Sequence, residues 1–185
     1  MKNIDEHELI KKNKAVFLDR DGVINKILSD EVKFVNYPED VYLLPGTADA
    51  IASFRKKGYM IFVVTNQAGV SLGYMSHTQL NNIHNHLEKE LLKVNANAII
   101  NDIMACTHNI NANCNCRKPN AGMLVTLAEK YNISLEDSYM IGDRESDIEA
   151  GIKAGTKTIL ISHQVMETKA NEQYYTLLEA SSHIL

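Results

Sequence analysis

The chain has 185 residues, 45% of them hydrophobic and 23% charged, which fits one globular domain with a full core and is too short for two ordinary ones. A formal net charge of -4 and a pI near 6.0 argue against a protein whose chief partner is the nucleic-acid backbone, because such proteins carry a basic face. No apolar run approaches the roughly 18 residues of a membrane span, and MKNIDEHELIKK has acids where a signal peptide carries its apolar core, so a cytoplasmic location without membrane or nucleic-acid partners is expected.

In chain order, an accessory helix is expected near the N-terminus. Short apolar runs then recur at residues 14–20, 59–66, 99–106, 138–143 and 156–161, the pattern of strands buried in a parallel sheet. Between them, apolar spacing of three and four predicts helices over residues 46–57, 76–94, 121–131 and 145–154. Pro45-Gly46 opens the first of these and Gly58 ends it; Ser76 caps the second, and Gly155 follows the last. The tail from Ser162 to Leu185 predicts one more helix, with Leu177, Leu178 and Ile184 turned inward. Strand alternating with helix implies an α/β fold: a three-layer, Rossmann-like sandwich around a central parallel sheet, in one domain spanning residues 1–185.

Asp19-Arg20-Asp21-Gly22 follows the first strand, so two carboxylates emerge at its C-terminal end, and Asp143 holds the same place after the fourth. Ligands of open α/β sheets bind at the carboxyl ends of the strands, where strand order reverses. If the first and fourth strands are neighbours, three acids converge, and a hard cation with oxygen ligands such as Mg²⁺ would relieve their repulsion. A strand-end Asp that merely caps the next helix is the competing reading for any one of them alone. Thr65-Asn66-Gln67 ends the second strand and Lys118 opens the helix after the third. Those positions add a hydroxyl, two amides and an ammonium, groups that hold phosphate.

DxDG, then Thr, then Lys, then GDxxxD at successive strand ends resembles the haloacid dehalogenase superfamily of phosphohydrolases, over roughly residues 14 to 162. The resemblance implies that Asp19 is the nucleophile, forming an aspartyl-phosphate, and that Asp21 is the general acid and then the base. It assigns Mg²⁺ to the Asp19 carboxylate, the Asp21 backbone carbonyl and the Asp143 carboxylate, and the transferring phosphoryl oxygens to Thr65 and Lys118. Asp147 is expected either to orient Lys118 or a water on the metal, or simply to favour its helix N-terminus. Asn66 and Gln67 are expected to bind the substrate, and Arg144 either to reach it or merely to decorate the surface. The intervals between motifs leave no room for the large cap domain of many members, so short loops should choose the substrate.

All three cysteines fall within CTHNINANCNCRKPN, residues 106–120. Cys106-x-His108 and Cys114-x-Cys116 offer three thiolates and one imidazole, in halves that the intervening loop can fold together. Zn²⁺ prefers such a tetrad in a tetrahedron; with four protein ligands and no open position it would be structural. Core thiols beside an incidental histidine are the alternative, which leaves the polar INAN between them unexplained. The other histidines are expected to be structural or solvent-facing.

The CxH…CxCRKP segment, with VNYPED…LLPG, TNQAG and CRKPNAGML, is similar to the heptose-bisphosphate phosphatases, and its short loop also suits the related histidinol-phosphate phosphatases. In the first family the arginine of CRKP helps recognise the distal phosphate, a role that falls on Arg117 here. That family usually has an arginine before a glycine in the loop after TNQ, where this chain has Leu72. The resemblance implies a monomeric, Mg²⁺-dependent phosphomonoester hydrolase with a sugar-phosphate substrate. It would remove the C7 phosphate of a heptose 1,7-bisphosphate in nucleotide-activated heptose biosynthesis, leading to lipopolysaccharide or capsule. Histidinol phosphate is the alternative substrate. A nucleic-acid 3'-phosphatase shares DxDG and TNQ but needs a basic channel, which this acidic chain does not offer. A catalytically silent zinc-binding module is the remaining reading.

Overall fold

The structure, a computed structural model, describes residues 12–184, so the helix expected near the N-terminus lies outside the described residues. A parallel sheet is formed by β1 (Lys14–Leu18), β2 (Tyr59–Asn66), β3 (Asp102–Cys106), β4 (Tyr139–Gly142), β5 (Lys157–Ile161) and β6 (Glu172–Tyr174). Their spatial order is β3-β2-β1-β4-β5-β6. The connecting helices are α1 (Thr47–Lys56), α2 (His77–Val94), α3 (Gly122–Tyr131), α4 (Glu145–Ala154) and α5 (Leu177–His183).

The continuous apolar runs arise because both faces of the central strands are covered. In β1, Val16 and Leu18 enter one core with Ile51 and Phe54 of α1 and Ile83 and Leu87 of α2. Ala15 and Phe17 point the other way, into a second core with Met123, Leu124 and Leu127 of α3 and Ala150 of α4. This alternation is the period of two inherent in an extended chain. It makes the molecule a three-layer sandwich.

The chain runs outward from β1 through β2 to β3, then crosses back to place β4 on the other side of β1. The reversal therefore lies between β1 and β4, and a crevice opens at their carboxyl ends. DRDG leaves β1 at this point and GDRESD leaves β4.

Two local expectations need correction, and one strand is not among those expected. β3 begins at Asp102 rather than at residue 99, with Ile99 43% exposed before it. Leu177 and Ile184 are buried, but Leu178 is 43% exposed; adjacent helical residues point about 100° apart, so both leucines cannot face the core. The short edge strand β6 reads EQY, with no apolar run to announce it. Among the described residues, no separate domain is inserted between β1 and β2 or between β2 and β3.

Candidate active site and metal centres

Asp19 is the first residue past β1, its N–H donating to the carbonyl of Ile141 in β4 over 2.9 Å. That bond ties the carboxylate to the seam of the two strands. Lys118 reaches it from the far side of the crevice: Nζ lies 2.8 Å from Asp19 Oδ1 and 2.7 Å from Asp147 Oδ1, and donates to the carbonyl of Val64 at 2.7 Å. Lys118 is 3% exposed, and an ammonium so buried requires these partners.

Asp147 fills both roles open to it. Oδ1 holds Lys118, while Oδ2 accepts from the Arg144 N–H at 3.1 Å and caps α4. It approaches this closely because residue 142 is glycine: a Cβ there would stand 2.1 Å from the Asp147 Cβ.

The third carboxylate beside Asp19 and Asp143 is this Asp147, with one oxygen of each within 4.8 Å of the others. The side chain of Asp21 is turned away, engaged by Arg20, Asn25 and Gln67. Burial pushes Asp19 up to about 7, with Asp147 and Asp21 adding to the effect and Lys118 opposing it. Burial and then Asp147 push Asp143 up to about 6, against the pull of Arg144.

Such crowding fits a divalent cation on oxygen ligands, and Asp143 Oδ1 is buried with no hydrogen-bond partner. Gly22 lets the turn after β1 close over this carboxylate. Its φ of +88° suits glycine, and a Cβ would lie 2.3 Å from Asp143 Oδ2.

Thr65, 1% exposed, presents its hydroxyl at the end of β2, where Gln67 Nε2 donates to it at 2.8 Å. Asn66 lines the same cleft with both amide ends on the backbone of Lys118: Nδ2 donates to its carbonyl at 3.0 Å and Oδ1 accepts from its N–H at 3.1 Å. Asn66 thus braces Lys118, a use not anticipated for it. Two other buried residues near Asp21 also escape local reading: Arg20, 1% exposed, and His84 on α2, 8% exposed.

The cysteines are unpaired. Cys106 Sγ lies 3.7 Å from Cys114 Sγ and 3.6 Å from His108 Nδ1, and His108 Nδ1 lies 3.2 Å from Cys116 Sγ. A tetrahedral ion with metal–sulfur bonds of about 2.3 Å has sulfur–sulfur edges of roughly 3.8 Å, so the spacing fits. Burial and the neighbouring thiols push Cys116 up to about 12, and a bound cation would relieve that crowding. The loop is seated on α3 by bonds from Gly122 N to the carbonyl of Asn115 (3.0 Å) and from Asn120 Nδ2 to that of Cys114 (2.9 Å).

Above the floor the cleft has a volume of about 830 Å³. Phe34, Leu72, Tyr74 and Ile110 form apolar walls, with Arg117 and Arg144 as the cations among them. One guanidinium nitrogen of Arg117, Nη1, is buried without a partner.

Residues 115–179 match the HAD-hydrolase-like family, a stretch that contains Lys118, Asp143 and Asp147. The D-glycero-beta-D-manno-heptose-1,7-bisphosphate 7-phosphatase of Pseudomonas putida is 36% identical over 148 residues, 80% of this chain and 82% of that protein. The D-glycero-alpha-D-manno-heptose-1,7-bisphosphate 7-phosphatase of Campylobacter jejuni is 34% identical over 169 residues, 91% of this chain and 94% of its own. Among solved structures, D,D-heptose 1,7-bisphosphate phosphatase from B. bronchiseptica, complexed with magnesium and phosphate, matches with a TM-score of 0.81 at 29% identity. That match covers 91% of this chain and 96% of the other. With relatives this similar over most of their length, the chain belongs to the heptose-1,7-bisphosphate 7-phosphatase family of haloacid-dehalogenase-like hydrolases and is a phosphatase.

Proposed function

We propose that the chain removes the C7 phosphate of D-glycero-D-manno-heptose 1,7-bisphosphate through an aspartyl-phosphate on Asp19, with Mg²⁺ at the floor of the cleft and structural Zn²⁺ in the cysteine loop. The observation that carries this reading is the Lys118 ammonium 2.8 Å from Asp19, at strand ends that also present the Thr65 hydroxyl. A nucleophilic carboxylate and phosphate-binding groups share one water-poor spot.

Asp19 Oδ1 is held by Lys118 and by the Arg20 N–H at 2.8 Å, which leaves Oδ2 to attack phosphorus. As the new oxygen–phosphorus bond forms, the bond to the sugar O7 breaks, and Asp21 gives that oxygen a proton. Thr65 and Lys118 bind the phosphoryl oxygens on which charge is spread. Water then attacks the aspartyl-phosphate; Asp21 takes its proton, the Asp19–phosphate bond breaks, and phosphate leaves. The Asp19 carboxylate, the Asp21 carbonyl and the Asp143 carboxylate would hold Mg²⁺, whose charge would screen the anionic nucleophile from the anionic ester. Arg117 receives the distal phosphate, and Arg144 and Gln67, which line the same cleft, reach the substrate.

Every group in this reading comes from one chain, and we read residues 1–185 as a single domain acting as a monomer. Unpaired thiols support a reducing compartment, the cytoplasm, and among the described residues no helix is long and apolar enough to cross a membrane.

Release of phosphate from the two heptose bisphosphate anomers and from histidinol phosphate tests the substrate; both anomers are needed because the relatives divide between them. A heptose bisphosphate should be hydrolysed fastest; equal or faster turnover of histidinol phosphate overturns the assignment. Asp19→Asn should lower kcat by about 10⁴-fold or more, and unchanged hydrolysis by this variant overturns the covalent route.

A further inference from the structure

Arg20 lies between the two motif acids, yet it is one of the most buried side chains of the molecule, at 1% exposure. Its guanidinium meets Asp21 with a fork: Nε donates to Oδ1 and Nη2 to Oδ2, each at 2.9 Å. Asn25 Nδ2 donates to Oδ1 at 3.0 Å, and Gln67 Nε2 donates to Oδ2 at 2.9 Å. Four donors thus fill the roughly four lone-pair sites of one carboxylate. Asp21 is the only carboxylate paired with Arg20 among the described residues.

We propose that Arg20 is a positioning residue for the proton-transfer step: its fork fixes the rotation of the Asp21 carboxylate and balances the charge that group gains when it protonates the leaving oxygen. The proposal rests on the acid–base role given to Asp21 above. A bidentate arginine–carboxylate pair constrains both distance and plane, which a single ammonium does not.

For Asp21 to meet a substrate oxygen, one of the four bonds must yield. Gln67 lies nearest the phosphoryl site, because its Nε2 gives one hydrogen to Asp21 Oδ2 and the other to Thr65 Oγ1 at 2.8 Å. A phosphoryl oxygen arriving at Thr65 accepts from its O–H, a bond compatible with the one that hydroxyl oxygen accepts from Gln67, and the Arg20 fork stays closed. On the far side, burial and then the charge of Arg20 push His84 down to about 4. A neutral imidazole there adds no second cation beside the fork.

The test compares kcat/KM for a sugar phosphate, whose alkoxide needs a proton to depart, with kcat/KM for p-nitrophenyl phosphate, whose phenolate does not. Asp21→Asn sets the scale: the sugar phosphate should lose about 10²–10⁴-fold, and the aryl ester at least about tenfold less. Arg20→Lys, which keeps the charge but not the fork, should show the same split, with the sugar phosphate falling about 10–100-fold and the aryl ester within about threefold of the parent. Equal losses on both esters, or none on either, overturn the role of Arg20. If Asp21→Asn itself shows no split, the acid–base assignment fails instead, so the two failures are distinguishable. Should the melting temperature show Arg20→Lys to be unfolded, Asn25→Ala removes one bond of the set, and the same split at smaller size supports the clamp, while uniform loss overturns it.

Discussion

Lys118 and Arg117 are neighbours in the chain, but the structure secures them in different ways. Lys118, at the floor, is gripped at its ammonium by Asp19, Asp147 and the carbonyl of Val64, and at its backbone by Asn66. Arg117, at the mouth, has a buried guanidinium nitrogen with no partner, and its backbone carbonyl accepts from Asn120 at the end of the cysteine loop. The groups assigned to the phosphoryl site are fixed redundantly by strand ends and buried charge. The group assigned to choosing the substrate depends on one loop.

Breaking the floor should have the largest effect. Lys118→Met removes the cation assigned to the phosphoryl oxygens, and kcat should fall about 10²–10³-fold. It also leaves Asp19 and Asp147 buried without their shared counter-charge, so unfolding by urea should reveal a loss of about 3–5 kcal/mol in metal-free protein. Added Mg²⁺ should recover part of that stability and little of the rate. Full recovery of kcat would show that Lys118 serves only the fold.

Zinc removal tests whether the mouth is separable. Chelated, still folded protein should show KM for the bisphosphate raised about tenfold, consistent with the loss of one aligned phosphate contact. Its kcat on p-nitrophenyl phosphate, which has no distal phosphate, should stay within about twofold. The bond pair from Asn66, not the loop, holds the backbone of Lys118 in place. A large drop in kcat on both esters would show that floor and loop are one unit.

The floor also predicts a pH-dependent response to Mg²⁺. Asp19 and Asp143 rise from an ordinary 3.8 to about 7 and about 6, so the folded chain keeps protons that the unfolded chain releases. These two groups therefore lower stability progressively as pH climbs from about 4 to about 7, and their cost is complete above that window. If Mg²⁺ binds the ionised carboxylates as proposed, it should raise the melting temperature by about 4–8 °C at pH 8 and by far less at pH 4.5. An equal shift at both values would place the ion elsewhere.

How readily each part could be read from the sequence follows from how local its causes are. Strands covered on both faces are continuous apolar runs, so YMIFVVTN announces β2, while β6 needs only neighbours across the sheet and EQY announces nothing. DRDG and GDRESD stand out because strand ends are marked by the switch from apolar to acidic residues. The bracing of Lys118 by Asn66 spans 52 residues and leaves no periodic trace. Arg20 is harder still: an arginine between two aspartates looks solvated, and only the closing of residues 21–25 and the packing of α2 bury it.

The smallest expected effect concerns Leu72, which lines the cleft at 47% exposure, where the resemblance calls for an arginine. Leu72→Arg would set a second cation near the place assigned to the distal phosphate. An exposed, salt-screened pair contributes about 1 kcal/mol or less, so KM for the bisphosphate should fall no more than about fivefold, with kcat unchanged. The gain should fade at high salt and be absent for a monophosphate that lacks the distal group. A monophosphate gaining as much as the bisphosphate would mean that the new charge acts on the floor, and the division between floor and mouth would then fail at its most exposed point.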